Sequence, residues 1–218
     1  MSGHSKWSTI KRQKGVNDQK RGVIFTKLAN AISVAVRQDH GVQLAIDKAK
    51  AANMPKDNIQ RAIDKGAGRV SGAELVEALF EGFGPSGVAI IAEAITDNSA
   101  RTAAEIRNVF NKNGGHLANP GAVSYMFTRA GEIENETFEK ALEVGALDFE
   151  DGTLYTKPED LHKISEVLGK IGSLIFKPNK ETMINVTDPN VSAKIQNLLT
   201  ALDDLDDVQN VYCNANFV

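Results

Sequence analysis

The chain has 218 residues, 42% of them apolar and 24% charged, enough to bury cores in two or three small domains and to exclude disorder as its overall state. No apolar run near Met1 has the form of a signal peptide, the most apolar stretch, Val88 to Ile95, is short and contains Glu93, and Cys213 has no partner for an intramolecular disulfide, so a cytoplasmic protein without membrane association is expected. The net charge of −3 conceals a division: residues 1–72 carry 14 Lys and Arg against 5 Asp and Glu, and residues 73–218 carry 11 against 23.

From Asp18 to Arg37, Phe25, Leu28, Ala29, Ile32 and Val36 recur at three- and four-residue steps and predict one amphipathic helix. Gly41 breaks it. Val42, Ala45, Ile46, Ala49 and Ala52 give a second stripe, which ends at Asn53-Met54-Pro55. Pro55 suits the first turn of a third helix, with Ile59, Ala62 and Ile63 as its apolar side before Gly66. Ala67 to Gly72 is a small flexible run where the charge changes sign, and it marks a domain boundary. Strands are then expected at Leu75 to Phe80 and Val88 to Ile95, a helix at Arg101 to Lys112 capped by Gly114-Gly115, and a third strand at Val123 to Thr128.

A second α+β set follows: a helix at Thr137 to Val144, a strand near Thr153 to Thr156, a helix at Pro158 to Gly169, and strands near Leu174 to Phe176 and Thr182 to Val186. Helix Val191 to Leu205 leads into a last strand, Val208 to Cys213. The first α+β unit has one helix to cover its strands, so the terminal helix and strand are expected to return to it. The expected domains are a helical one at 1–72, an α+β one at 73–130 plus 190–218, and an α+β one inserted at 131–189.

Gly82-Phe83-Gly84-Pro85-Ser86-Gly87 spells the dinucleotide-binding pattern, but that pattern needs a helix opening at its end to meet pyrophosphate, and Val88 onward is strand-like. A glycine-rich hairpin is the better account. His4, His40, His116 and His162 are too scattered for a zinc site, Asp203-Asp204-Leu205-Asp206-Asp207 lacks the ligand alternation and glycine of a calcium loop, and no serine stands in a nucleophile elbow. Asn135-Glu136-Thr137 and Asn185-Val186-Thr187 match the glycosylation pattern by chance. No enzyme, metal or cofactor is indicated.

The N-terminal block differs in kind. Lys6, Lys11, Arg12, Lys14, Lys20, Arg21 and Lys27 are opposed only by Asp18, and Trp7, the one tryptophan, stands among them. A local positive field attracts phosphate, cations that neutralise phosphates release counterions, and a flat aromatic can stack on an exposed base or pack on the adjoining helix. The third helix places Asp57, Arg61 and Asp64 at i, i+4 and i+7, a mixed-sign face suited to intrahelical ion pairs and ill suited to base edges, while Lys56, Asn58, Gln60 and Lys65 remain able to contact phosphate. This favours recognition of backbone and shape, and structured RNA over operator DNA.

Gly3-His4-Ser5-Lys6-Trp7 and the run from Ala45 through Asn53-Met54-Pro55-Lys56-Asp57 to Ile59 resemble the two N-terminal signatures of the YebC family. Glu81-Gly82-Phe83-Gly84-Pro85, Thr96-Asp97-Asn98, Lys112-Asn113-Gly114-Gly115, Tyr155-Thr156-Lys157-Pro158 and Leu205 to Tyr212 are similar to further landmarks of it. The resemblance implies an α+β multidomain protein, an N-terminal three-helix domain followed by two ferredoxin-like domains, one inserted in the other. It also implies a non-enzymatic regulator of gene expression: members are named as DNA-binding transcriptional regulators, mitochondrial relatives activate translation of cytochrome oxidase, and bacterial relatives ease ribosome stalling at proline-rich sequences. His4, Ser5, Lys6, Trp7, Lys11 and Arg12, with the Met54-Pro55-Lys56 corner, would then contact RNA. The implied partners are ribosomal or transfer RNA on the ribosome, with DNA as the alternative; the sequence does not fix the oligomeric state, with a monomer favoured. Two departures stand out: only Gln38-Asp39-His40-Gly41 separates the first two helices where the family has a longer linker, and Cys213 occupies a position where histidine is usual.

Overall fold

The computed structural model describes residues 18–218 apart from Asn135, with side chains from Arg21 onward. Helices α1 (Asp18–Gln38), α2 (Val42–Ala51) and α3 (Lys56–Gly66) form the N-terminal domain. The periodic residues of the sequence make its core: Ile32, Ala49, Met54, Ile59 and Ala62 are buried, with Phe25, Leu28, Ala29, Val36, Ala45, Ile46 and Ile63 packed around them. Asp39 and Gly41, at φ 51° and 68°, turn the chain sharply enough for the short linker to suffice. Pro55 stands at the N-cap of α3, one residue ahead of the first turn. At the other end of α3 the backbone of Gly66 lies so close to α1 that an added Cβ would stand 2.4 Å from the Ser33 carbonyl oxygen and 2.8 Å from Val36 Cβ. Gly66→Ala is therefore expected to destabilise the helical domain by about 1–3 kcal/mol, read as a lower denaturant midpoint.

The body contains two four-stranded antiparallel sheets. The first has the order β3-β1-β2-β9, formed by β1 (Val76–Phe83), β2 (Ala89–Thr96), β3 (His116–Leu117) and β9 (Val208–Cys213). The second has the order β5-β6-β4-β7, formed by β4 (Phe127–Ile133), β5 (Asp148–Glu150), β6 (Thr153–Thr156) and β7 (Ser173–Pro178). A parallel pair, β8 (Ile184–Val186) with β10 (Ala215–Phe217), completes the strands. The fold is α+β and multidomain: the helical domain is followed by two ferredoxin-like units, the second inserted between the helix of the first and the strand that returns to it.

Helices α4 (Ser99–Lys112) and α7 (Pro189–Asp203) cover one face of the first sheet, burying Ile106, Phe110, Ile195, Leu198, Leu199 and Leu202 against Val88, Ile90, Ala92, Val208, Val211 and Cys213. Ala89, Ile91 and Tyr212 on the opposite face meet Phe127, Ala130, Tyr155 and Ile175 of the second sheet. Being covered on both sides, β2 is apolar at every position but Glu93, its one charged residue, and the terminal Thr96. Helices α5 (Phe138–Glu143) and α6 (Leu161–Leu168) share a core with Ile133 and Leu154 in the inserted unit.

Several boundaries differ from the sequence pattern. The strand expected at Val123 to Thr128 lies at Phe127–Ile133 and belongs to the second sheet, paired with β6 and β7, so a division at 130/131 falls inside it. The first sheet takes the two-residue β3 at that edge instead, pairing Phe83 with His116 and Gly82 with Leu117. The strand expected at Thr182 to Val186 pairs with β10 and lies outside the inserted sheet. The glycine-rich hairpin is borne out: β1 ends at Phe83, a single 3-10 turn spans Pro85–Gly87, and β2 starts at Ala89.

Glu81 locks the loop that leads into β4. Its buried carboxylate accepts hydrogen bonds from the backbone N–H of Gly121 (2.8 Å), Val123 (2.7 Å) and Ser124 (2.9 Å). Burial alone would raise its pKa, and these donors outweigh burial, holding it below the usual 4.5. A depressed carboxyl adds stability above its unfolded pKa and loses it as pH falls through the folded value. Thermal stability is thus expected to fall below about pH 4.5, and Glu81→Gln to be less stable at neutral pH and to flatten that acid limb in melts across pH.

Candidate nucleic-acid interface

Of the residues expected to contact RNA, His4, Ser5, Lys6, Trp7, Lys11, Arg12 and Lys14 lie outside the described residues, and of Lys20 only the backbone, in the first turn of α1, is described. Arg21 is exposed on that helix. Lys27 is half-buried and spoken for: its Nζ donates to the carbonyl of Asp203 at 2.5 Å, at the C-terminal end of α7 where the helix dipole favours a cation. It ties α1 to the body and is withdrawn from the cationic surface.

The Met54-Pro55-Lys56 corner divides in the same way. Met54 is buried in the helical core, with its N–H donating to the Ala49 carbonyl at 3.0 Å, so it shapes the corner from inside and its side chain has no exposed surface to offer a ligand. Asn53, at φ 58°, makes the turn, and Pro55 and Lys56 are exposed. On α3 the expected pairing of Arg61 with Asp57 and Asp64 does not form. Asp64 is taken by Arg69, at 3.0 Å, and by the Gln60 amide, at 3.1 Å. Lys56 and Arg61 therefore remain as exposed cations of that helix, beside the exposed Asp57.

The helical domain is seated on the body at several points. Val34 packs with Leu75 and Ile95, Arg37 pairs with Glu74 at 3.2 Å and donates to the Leu75 carbonyl, and the Gln38 amide donates to Glu77 at 3.1 Å. A charged cluster lies where all three domains meet. Lys48 of α2 is largely buried, which pushes its ammonium pKa down, while Glu93 of β2 and Glu132 of β4 act in the opposite sense. Glu93 also receives Arg129 Nη1 at 2.6 Å, the Tyr212 hydroxyl at 2.9 Å and the Asn210 amide at 3.1 Å, and Arg129 covers the Phe176 ring at 4.3 Å. Nothing in the periodicity singles out Lys48. The available signal is Glu93, a lone charge inside an apolar strand that calls for a buried cationic partner.

Among the described residues no group of His, Cys, Asp and Glu is arranged to hold a metal ion, and no helix is long and apolar enough to cross a membrane. Cys213 is fully buried, and burial raises its thiol pKa to about 11, so it is a packing residue of β9 rather than a nucleophile.

Residues 5–69 match the family model of the TACO1/YebC N-terminal domain, and residues 75–215 match that of the TACO1/YebC second and third domain. The chain belongs to the TACO1/YebC family. Among TACO1/YebC relatives, a protein of Syntrophotalea carbinolica is 46% identical and one of Persephonella marina 43%, each alignment covering 98% of this chain and 95% of the relative. Both are named "Probable transcriptional regulatory protein". A crystal structure of a conserved hypothetical protein from Aquifex aeolicus superposes with a TM-score of 0.85 at 40% identity, covering 92% of each chain. The two TACO1/YebC matches meet between residues 69 and 75, overlapping the small-residue run Ala67 to Gly72 where the charge changes sign.

Proposed function

We propose that the protein is a non-enzymatic nucleic-acid-binding regulator of gene expression, and specifically a cytoplasmic, ribosome-associated translation factor that binds RNA and eases stalling at proline-rich sequences. The observation that carries this reading is the division of charge, with the excess of cations confined to the first 72 residues and concentrated before residue 28. In this reading the segment from His4 to Arg21, with Pro55 and Lys56, engages ribosomal or transfer RNA, and the two α+β units act as a body that sets its reach. The exposed face of α3 supports RNA over operator DNA, because Asp57 stands beside Lys56 and Arg61 where a major-groove reader needs an acid-free surface. The relatives' name favours a second reading, a DNA-binding transcriptional regulator.

Sedimentation of a lysate through a gradient at physiological salt, with and without nuclease, separates the two. Co-migration with ribosomes is the expected result. Absence from the ribosomal fractions, together with operator binding that survives excess nonspecific duplex at the same salt, would establish the transcriptional reading instead.

A further inference from the structure

The acidic body holds most of its own cations in ion pairs, as with Arg101 to Asp207 at 2.9 Å and Lys177 to Asp148 at 2.8 Å. Arg107, Lys112 and Lys194 are exposed with no carboxylate within ion-pair distance among the described residues, as are Lys157 and Lys163, but the latter two have Glu159, Asp160 and Glu166 close by in sequence. The first three lie on acid-free stretches, since no Asp or Glu occurs between Glu105 and Glu132, nor between Asp188 and Asp203. In a body with 23 acidic residues this is a marked exclusion.

The fold gathers these stretches at one place. Arg101 and Thr102, at the start of α4, bond to Asp207, just past the end of α7, at 2.9 and 2.6 Å. The two helices thus run antiparallel, and the C-terminal end of α4, with Arg107 and Lys112, lies beside the N-terminal half of α7, with Lys194. The acidic corner from Asp203 to Asp207 is at the opposite end. The glycine-rich hairpin tip shares the cationic end: a Cβ on Gly84 would stand 3.2 Å from Leu198 of α7, and one on Gly114, just past α4, 3.9 Å from the Pro85 ring. Gly87 faces open space, so backbone there is accessible to close approach. The amides of Asn108 and Asn111, exposed on the same helix as the two cations, add hydrogen-bond donors.

We propose that this end of the α4–α7 layer is a second RNA-binding surface, which takes the sugar–phosphate backbone through Arg107, Lys112 and Lys194, with Asn108 and Asn111 as amide donors. It rests on the reading of the protein as an RNA binder and extends it: the body contacts RNA as well as carrying the helical domain. Glu105, one turn before Asn108, is turned to Arg101 at 4.0 Å, and the cations and amides beyond it fit phosphate oxygens and 2′-hydroxyls through contacts that carry no base sequence. Of the G-x-G-x-x-G run, Gly82 and Gly84 are buried against Phe110 and Leu198, and Gly87 alone offers open backbone beside the cations.

The test uses the full chain with Arg107→Gln, Lys112→Gln and Lys194→Gln combined, and a control with Lys157→Gln and Lys163→Gln, exposed cations of the inserted unit. Anisotropy of a fluorescent stem-loop RNA with a single-stranded tail, titrated over a series of salt concentrations, should show weaker binding by the triple variant. Its log–log salt slope should be shallower by about 2, at roughly 0.7 per lost phosphate contact, with the control unchanged. A second variant, Asn108→Asp with Asn111→Asp, adds carboxylates to the same face and should weaken binding without removing a cation. Equal binding by wild type and both variants would overturn the surface and leave the RNA reading standing. Absence of salt-dependent RNA binding by wild type would overturn that reading and the surface with it. A loss confined to duplex DNA of the same sequence would assign the surface to the other polymer and overturn its assignment to RNA.

Discussion

Full-length protein carrying Lys6→Gln, Lys11→Gln and Arg12→Gln is expected to bind RNA roughly 10- to 100-fold more weakly at physiological salt, with folding unchanged. Each exposed charge contact contributes about 0.5–1 kcal/mol, and tenfold in affinity corresponds to about 1.4 kcal/mol, which sets that range for three contacts. The salt slope should shrink by about 2 to 3, because each neutralised phosphate releases condensed counterions. The three cations belong to the block opposed only by Asp18, so no neighbouring carboxylate in sequence competes with phosphate for them. Lys27→Gln makes a contrasting case. Its ammonium is engaged with the Asp203 carbonyl, so its loss should show first in the melting of the protein. A triple variant that binds as wild type does, over the whole salt series, would remove the N-terminal block from the interface.

Phe110→Ala should cost about 3–5 kcal/mol, more than any surface change considered above. The ring is fully buried on the inner side of α4, and the backbone is shaped around it. A Cβ on Gly82 would stand 2.7 Å from Phe110 Cζ, and one on Gly115 3.0 Å from Phe110 Cδ1. Both glycines let main chain approach the ring closely, and main chain held in β1 and past the end of α4 cannot collapse into the space that alanine would leave. A fall in melting temperature of about 6–20 °C is expected from calorimetry. A change below about 1 kcal/mol would mean that the site relaxes, against the close backbone packing seen there.

The helical domain was legible because its three stripes have one buried face each, and every residue named from the 3.6 period at Phe25 to Val36 lies in or around its core. The hairpin was legible because Val88 and its neighbours could not open a helix after the glycines. Strand β3 was hidden, since two residues leave no period, and β4 was displaced because the apolar residues ahead of it, Val123 and Ala122, pack in the sheet-to-sheet core without being strand. Periodicity reports burial, and burial is only a proxy for pairing. The same limit applies to the interface: cation counts located the basic segment, but they could not separate Lys27 and Lys48, which face the body, from Lys56 and Arg61, which face solvent.

The return of β9 to the first sheet constrains how the protein is made. Asn214 and Ala89, bonded through side chain and backbone at 2.8 Å, are 125 residues apart in sequence. As the polypeptide is synthesised, residues 127–178 can close their own sheet at once, whereas β1 and β2, covered by α4 and by that sheet, still lack the α7 part of their apolar face and the β9 edge until α7, β9 and β10 emerge. For that interval Ile90 and Ala92 lack Cys213 and Val211 beside them, and β2 is an open apolar edge of the kind that pairs with other chains. The nascent chain is therefore most exposed to misassembly in its last third, after the basic domain and the inserted unit have already formed.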